Sequence, residues 1–216
     1  MMDQQTFSSS QSPAIHKIAI VAGATGLVGR ELVRQLCDHD GYTEVIALVR
    51  NPAEASFTAG GAKLHVRALP TGDEILRGDE FYCALGTTIK KAGSQAAFKA
   101  VDYSLVMDLA ARAKAGGVGR MVVITAVGSD PDSLFFYSRV KGEVERDLKA
   151  LGLAKLDIYQ PSLLLGHRTE ARFAEGIATG MVPVLSQFCR GPLLKYRPIH
   201  AAELARLMIA GDPLPR

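Results

Sequence analysis

Apolar residues along this chain recur in short unbroken runs separated by stretches of helical spacing. The runs at 17–22, 44–49, 63–67, 80–85, 119–126 and 154–160 are rich in Val, Ile and Ala and predict strands. Positions 26–37, 95–115 and 134–151 carry apolar residues at helical intervals, and 200–210 predicts a last helix. Glycines stand at the expected helix ends, at Gly41, Gly116-Gly117 and Gly152. Strands without a polar face are buried on both sides, so the alternation predicts an α/β fold: a doubly wound, mostly parallel sheet covered by helices on both faces. From Pro161 the pattern thins, and 161–199 is expected to form a small substrate-side lobe of loops and short helices. The expected organisation is a disordered polar tail over 1–14 and one domain over 15–216.

The first strand runs into KIAIVAGATGLVGR, with Gly23, Gly26 and Gly29 three residues apart and a helix beginning at Leu27. Strand, glycine turn and helix start in this order form the phosphate-binding corner of a dinucleotide fold. The first glycine permits the turn, the second lets backbone approach a pyrophosphate, and the third lets the helix pack on the strand. Gly23, Thr25, Gly26, Leu27, Val28 and Gly29 form this cradle, where phosphates meet unpaired N–H groups at the positive end of a helix. An acid ending the second strand would select NAD(H) through the ribose hydroxyls. Here Val49-Arg50-Asn51 stands in that place, with no carboxylate until Glu54. An Arg50 guanidinium can clamp a 2′-phosphate and stack on adenine, with Asn51 beside it and Arg30 assisting, so NADP(H) is expected over NAD(H). The alternative is that Arg50 is an exposed turn residue.

Tyr137 and Lys141 are four residues apart and share a helix face. A phenol titrates near 10, too high for proton transfer at neutral pH. An ammonium about 4 Å away stabilises phenolate by roughly 4 kcal/mol at an effective dielectric of 20, enough to bring tyrosine into the catalytic range. Six tyrosines among 216 residues make such a pair on its own a common coincidence.

Taken together, the glycine motif and the later Tyr-x-x-x-Lys resemble the short-chain dehydrogenase/reductase superfamily. CALGTT at 83–88, Phe98 with Val101-Asp102, YSRVKGEVE, and QPSLLLG followed by Arg168 resemble its atypical group, which contains the Tat-interacting-protein oxidoreductase and bacterial relatives. The resemblance implies that Leu85, Gly86 and Thr87 line the cofactor and that Pro161, Ser162 and Leu163 lie near the nicotinamide. It implies Tyr137 as acid–base and Lys141 as its partner and ribose ligand. The hydroxyl that normally ends the fifth strand is matched best by Thr125, with Ala126 next and Ser129 a weaker substitute; Thr125 is equally an ordinary strand residue. The helical asparagine of typical members is absent. Asp102 stands nearby, with a helix-face carboxylate in water as the alternative reading. Arg168, Glu170 and Arg172 could bind a substrate carboxylate or form surface ion pairs.

These readings imply an NADP(H)-dependent oxidoreductase passing hydride between nicotinamide and a carbonyl or alcohol. The alternative is an NADP(H)-binding redox-sensing regulator with little turnover and a protein partner. An isomerase using the same site fits less well, because no sugar-nucleotide pocket is readable.

Composition narrows the rest. A net charge of +3 with dispersed basic residues argues against a nucleic-acid partner. The uncharged stretch 176–189 is too short for a membrane span and contains Gly180 and Pro183. Cys37, Cys83 and Cys189 lie far apart, which suits a reducing compartment and neither a disulfide framework nor a metal site. With no apolar segment in the N-terminal stretch, a cytoplasmic location is expected. The two long helices, 95–115 and 134–151, offer faces for a homodimer.

Overall fold

Strands β1 (Lys17–Ala22), β2 (Tyr42–Val49), β3 (Leu64–Ala68), β4 (Glu80–Cys83), β5 (Arg120–Ile124) and β6 (Leu156–Tyr159) form one sheet in the order β3-β2-β1-β4-β5-β6. All neighbouring pairs are parallel. The computed structural model describes residues 16–58, 61–166 and 197–215. The expected tail, the body of the 161–199 lobe, Arg168, Glu170, Arg172 and Cys189 lie outside them. The strand order reverses between β1 and β4, and in open α/β sheets ligands bind at such a switch point, beyond the carboxyl ends of the strands.

The helices are α1 (Leu27–Asp38), α2 (Ile89–Ala92), α3 (Gln95–Lys99), α4 (Val106–Ala115), α5 (Phe136–Ala150) and α6 (Ala201–Ala210). Alternation along β1 sorts them into two layers. Ala19 and Val21 pack with Leu32 and Leu36 of α1 and Leu204 and Met208 of α6. Ile20 and Ala22 pack with Leu109 and Ala113 of α4 and Val144 and Leu148 of α5. The expected single helix over 95–115 is broken by a π-turn, Ala100–Leu105, between α3 and α4. A short parallel pair, β7 (Leu164–Leu165) with β8 (Ile199–His200), leads into α6. Sequence spacing does not signal it, because the paired residues are far apart along the chain.

At the amino-terminal end of the sheet, a polar knot ties five strands and a helix together. Glu80 on β4 accepts from Lys17 at 2.7 Å, Tyr42 at 2.8 Å, Arg120 at 3.1 Å and from Tyr82. Burial alone would raise its titration point. The Lys17 ammonium, the two phenols and the Arg120 guanidinium outweigh burial and hold it down at about 2. Arg120 also donates to Asp157 at 2.7 Å and to the Met208 carbonyl at 2.8 Å, which satisfies the last turn of α6.

Candidate functional site

The glycine turn closes over the switch point. Gly23 has φ +76°, and a Cβ on it would lie 2.5 Å from the Ala84 carbonyl. Only glycine fits there, because β1 and β4 come together at this point. A Cβ on Gly29 would collide with the Gly23 carbonyl, so the start of α1 sits directly on the turn. A Cβ on Gly26 would meet the Gly23 carbonyl at 3.1 Å, and backbone is presented outward beside it. Gly26 is the N-cap of α1. No side chain caps the helix and no acid occupies its first turn. The N–H groups at Leu27 and Val28 are therefore available to an anion. Thr25 is exposed at the tip of the turn. A backbone cradle without a competing carboxylate fits a dinucleotide pyrophosphate.

Beyond β2, Arg50 is exposed and has no ion-pair partner among the described residues. Asn51 is engaged locally: its carbonyl oxygen accepts from Ala53 N at 3.2 Å and its amide donates to Glu54 at 2.6 Å. Arg30 is a strut rather than a free cation. It donates to the Thr25 carbonyl at 3.1 Å and the Ser56 carbonyl at 2.6 Å, and lies over the Phe57 ring. The glycine turn is thereby tied to the loop after β2, and Arg50 stands beside that loop.

Past β4, Leu85 is half-buried and Gly86 exposed. The Thr87 N–H donates to Asp102 Oδ2 at 2.9 Å. A Cβ on Gly86 would lie 3.7 Å from Asp102 Oδ1 and 4.0 Å from Lys141 Nζ. Lys141, buried on α5, forms an ion pair with Asp102 at 2.8 Å. Asp102 is therefore not the water-facing carboxylate that its helical position suggests. It is 1% exposed and comes from the π-turn. A signal for this was present, since Phe98, Asp102 and Val106 are spaced four apart and all three are buried.

Tyr137, one turn before Lys141 on α5, is 40% exposed. Its ring rests against buried Phe98 at 5.7 Å, and its hydroxyl has no hydrogen-bond partner among the described residues. Tyr137 and Lys141 do share the crest, but the ammonium's ionic partner is Asp102.

Thr125 departs from the expected role. Its hydroxyl is buried and donates to Glu145 at 2.6 Å, while Gln160 donates to the same carboxylate at 2.8 and 3.0 Å. Glu145 lies two turns beyond Tyr137, about 12 Å along the helix. The Thr125 hydroxyl thus serves a buried polar cluster between β5, α5 and β6. Ser129 closes a local turn by donating to the Ala126 carbonyl at 2.6 Å. Glu145 and Gln160 were missed because strand and helix periods indicate burial but not which polar groups meet across elements.

After β6, Pro161 is buried and its carbonyl accepts from Val127 N at 3.1 Å, so the β5–β6 ladder reaches past the strands. Ser162 Oγ donates to the Arg197 carbonyl at 2.9 Å, and Leu163 is exposed. Cys83 sits beneath the crest, fully buried, and burial pushes its thiol up to about 11. It is a small apolar side chain rather than a nucleophile.

Residues 23–156 match the family model described as NAD(P)H-binding. The chain is 31% identical over 197 residues to protein FMP52-1, mitochondrial, of Scheffersomyces stipitis, covering 88% of this chain and 86% of that protein. In structure it is similar to a UDP-N-acetylglucosamine 4-epimerase from Methanobrevibacter ruminantium M1 in complex with UDP-N-acetylmuramic acid. That match has a TM-score of 0.65 at 14% identity and covers 90% of this chain and 72% of the other. The Bordetella bronchiseptica enzyme WbmH in complex with NAD+ matches with a TM-score of 0.60 at 15% identity, covering 90% and 71%. At such identity these two show a common fold. FMP52 relatives are named mitochondrial, which overturns the cytoplasmic expectation. A reducing environment is not unique to the cytoplasm, so cysteine usage does not separate the two locations.

Proposed function

This chain belongs to the NAD(P)H-binding family, as an atypical short-chain dehydrogenase/reductase related to the FMP52 proteins, and we propose that it is an NADP(H)-dependent oxidoreductase acting on a carbonyl or alcohol carbon. The observation that carries this reading is the gathering, at one end of the sheet, of a bare glycine cradle, a buried lysine and a tyrosine whose hydroxyl has no partner among the described residues. When bound, the nicotinamide supplies or accepts the hydride. The α1 amides and the Gly23–Gly29 turn hold the pyrophosphate. Arg50 pairs with the 2′-phosphate, aided by the absence of any acid at the end of β2. Tyr137 gives a proton to the substrate oxygen in reduction and removes it in oxidation. Lys141 supplies positive charge on the same helix face and a donor for the nicotinamide ribose. Leu85–Thr87 and Pro161–Leu163 flank this space. The relatives' names support a mitochondrial place of action.

One observation favours a second reading, an NADP(H)-binding regulator with little turnover. The hydroxyl expected to orient a substrate carbonyl is held by Glu145. The two are separated by following NADPH oxidation across a panel of aliphatic and aromatic aldehydes and ketones. Turnover on any class supports the oxidoreductase. Saturable NADPH binding with no oxidation across the panel supports the regulator.

A further inference from the structure

Among the described carboxylates, Asp102 is the most buried, at 1% exposed, and it lies beside the site. Resting on the reading of Lys141 as a cofactor ligand, we infer that Asp102 is a positioning residue whose carboxylate holds the Lys141 ammonium at the crest and anchors the Leu85–Thr87 turn, and that a carboxamide cannot replace it.

The two oxygens face different donors. Oδ2 accepts the Thr87 N–H at 2.9 Å, and Oδ1 lies 2.8 Å from Lys141 Nζ. Oδ1 makes no directed hydrogen bond, so charge holds that contact. The side chains are 6% and 0% exposed for Lys141 and Asp102, so water supplies neither with a substitute partner. Other charged groups on these helices are already paired. Lys99 binds Glu143 at 2.8 Å and Tyr103 binds Asp147 at 2.7 Å, while Cys83 from β4 is a buried thiol. Among the described residues, no other carboxylate forms an ion pair with Lys141.

An ionised carboxylate accepts at both oxygens, whereas asparagine must turn an NH₂ toward one of the two donors. Asp102→Asn would therefore confront an N–H with another donor and leave a buried ammonium without its counter-charge. The π-turn is the backbone device that delivers Asp102 here. It widens the helix at the position where the side chain must reach the end of β4.

The test is a double-variant cycle on the full chain with D102N, K141M and D102N/K141M, reading melting temperature and NADPH affinity by calorimetry. D102N should melt lower than wild type and bind NADPH at least tenfold more weakly. K141M should weaken NADPH to a similar degree. The double variant, having no ion to strand, should regain melting temperature over D102N and bind NADPH no worse than K141M. If D102N does not fold, the double variant decides: a folded protein with K141M-like affinity supports the pairing, and an unfolded one contradicts it. A D102N protein that binds NADPH within twofold of wild type, or losses that add fully in the double variant, overturns the inference alone. Wild-type protein that binds neither NADPH nor NADH instead removes the functional reading, and the positioning role falls with it.

Discussion

Glu80, at the amino-terminal end of the sheet, accepts from four donors, whereas Tyr137, at the carboxyl-terminal end, has no hydrogen-bond partner for its hydroxyl among the described residues. The same strands carry both regions. At the base, Lys17, Tyr42, Tyr82 and Arg120 come from four strands and converge on one carboxylate; Arg120 reaches on to α6. At the crest, the chain presents bare helix amides, an exposed arginine and an exposed phenol, and a buried ion pair between Lys141 and Asp102 holds the lysine in place. Polar groups satisfied internally contribute to stability. Polar groups held in place but left open are available to a ligand. Parallel sheets favour this division, because the loops that build a site all leave from the same end.

Substitutions at the two ends should therefore separate activity from stability. The largest effect is expected for Tyr137→Phe. Turnover on any substrate found should fall roughly 10²–10⁴-fold, as when a proton-transfer group is lost. The melting temperature should stay near that of wild type, because the hydroxyl has no hydrogen-bond partner among the described residues. Glu80→Ala should do the reverse. Leaving Arg120 and Lys17 without their carboxylate should cost about 3–5 kcal/mol of stability, or roughly 6–20 °C in melting temperature for a domain of this size. NADPH affinity measured below the transition should be unchanged.

The base also sets an acid limit. Glu80 titrates at about 2 in the folded protein, below the roughly 4.3 of an unfolded glutamate. The stabilisation it provides is complete above the unfolded value and is lost as pH falls from there toward 2. Chemical denaturation should show stability declining through that interval, and Glu80→Gln should flatten the decline. A variant with the wild-type slope would show that other carboxylates govern it. The smallest effect belongs to Arg50→Ala. Losing one exposed guanidinium–phosphate contact should weaken NADPH about tenfold and leave NADH within twofold. Equal losses for both nucleotides would take Arg50 out of 2′-phosphate recognition.

How far the sequence could be read follows the same division. β1 runs over the expected residues, and the other strands differ by only a few at their ends, because apolar runs buried on both faces leave little choice of structure. Gly23, Gly26 and Gly29 were legible because each meets a local steric requirement. Contacts that depend on where distant elements meet were not. Sequence leaves Asp102 open between a place near the missing asparagine and a solvated helix face, and the π-turn carries it to Lys141. Thr125 read as a site hydroxyl until α5 brought Glu145 against it. Arg30, expected to assist Arg50 at the 2′-phosphate, is bound to Thr25 and Ser56, while Arg50 has no ion-pair partner among the described residues.

The most direct test of a nucleotide site at the carboxyl-terminal end of this sheet is calorimetric titration of the wild-type protein with NADPH and NADH side by side. One saturable site with NADPH at least tenfold tighter is expected. Absence of binding by either nucleotide would contradict the site itself, and equal affinities would contradict its preference for the 2′-phosphate.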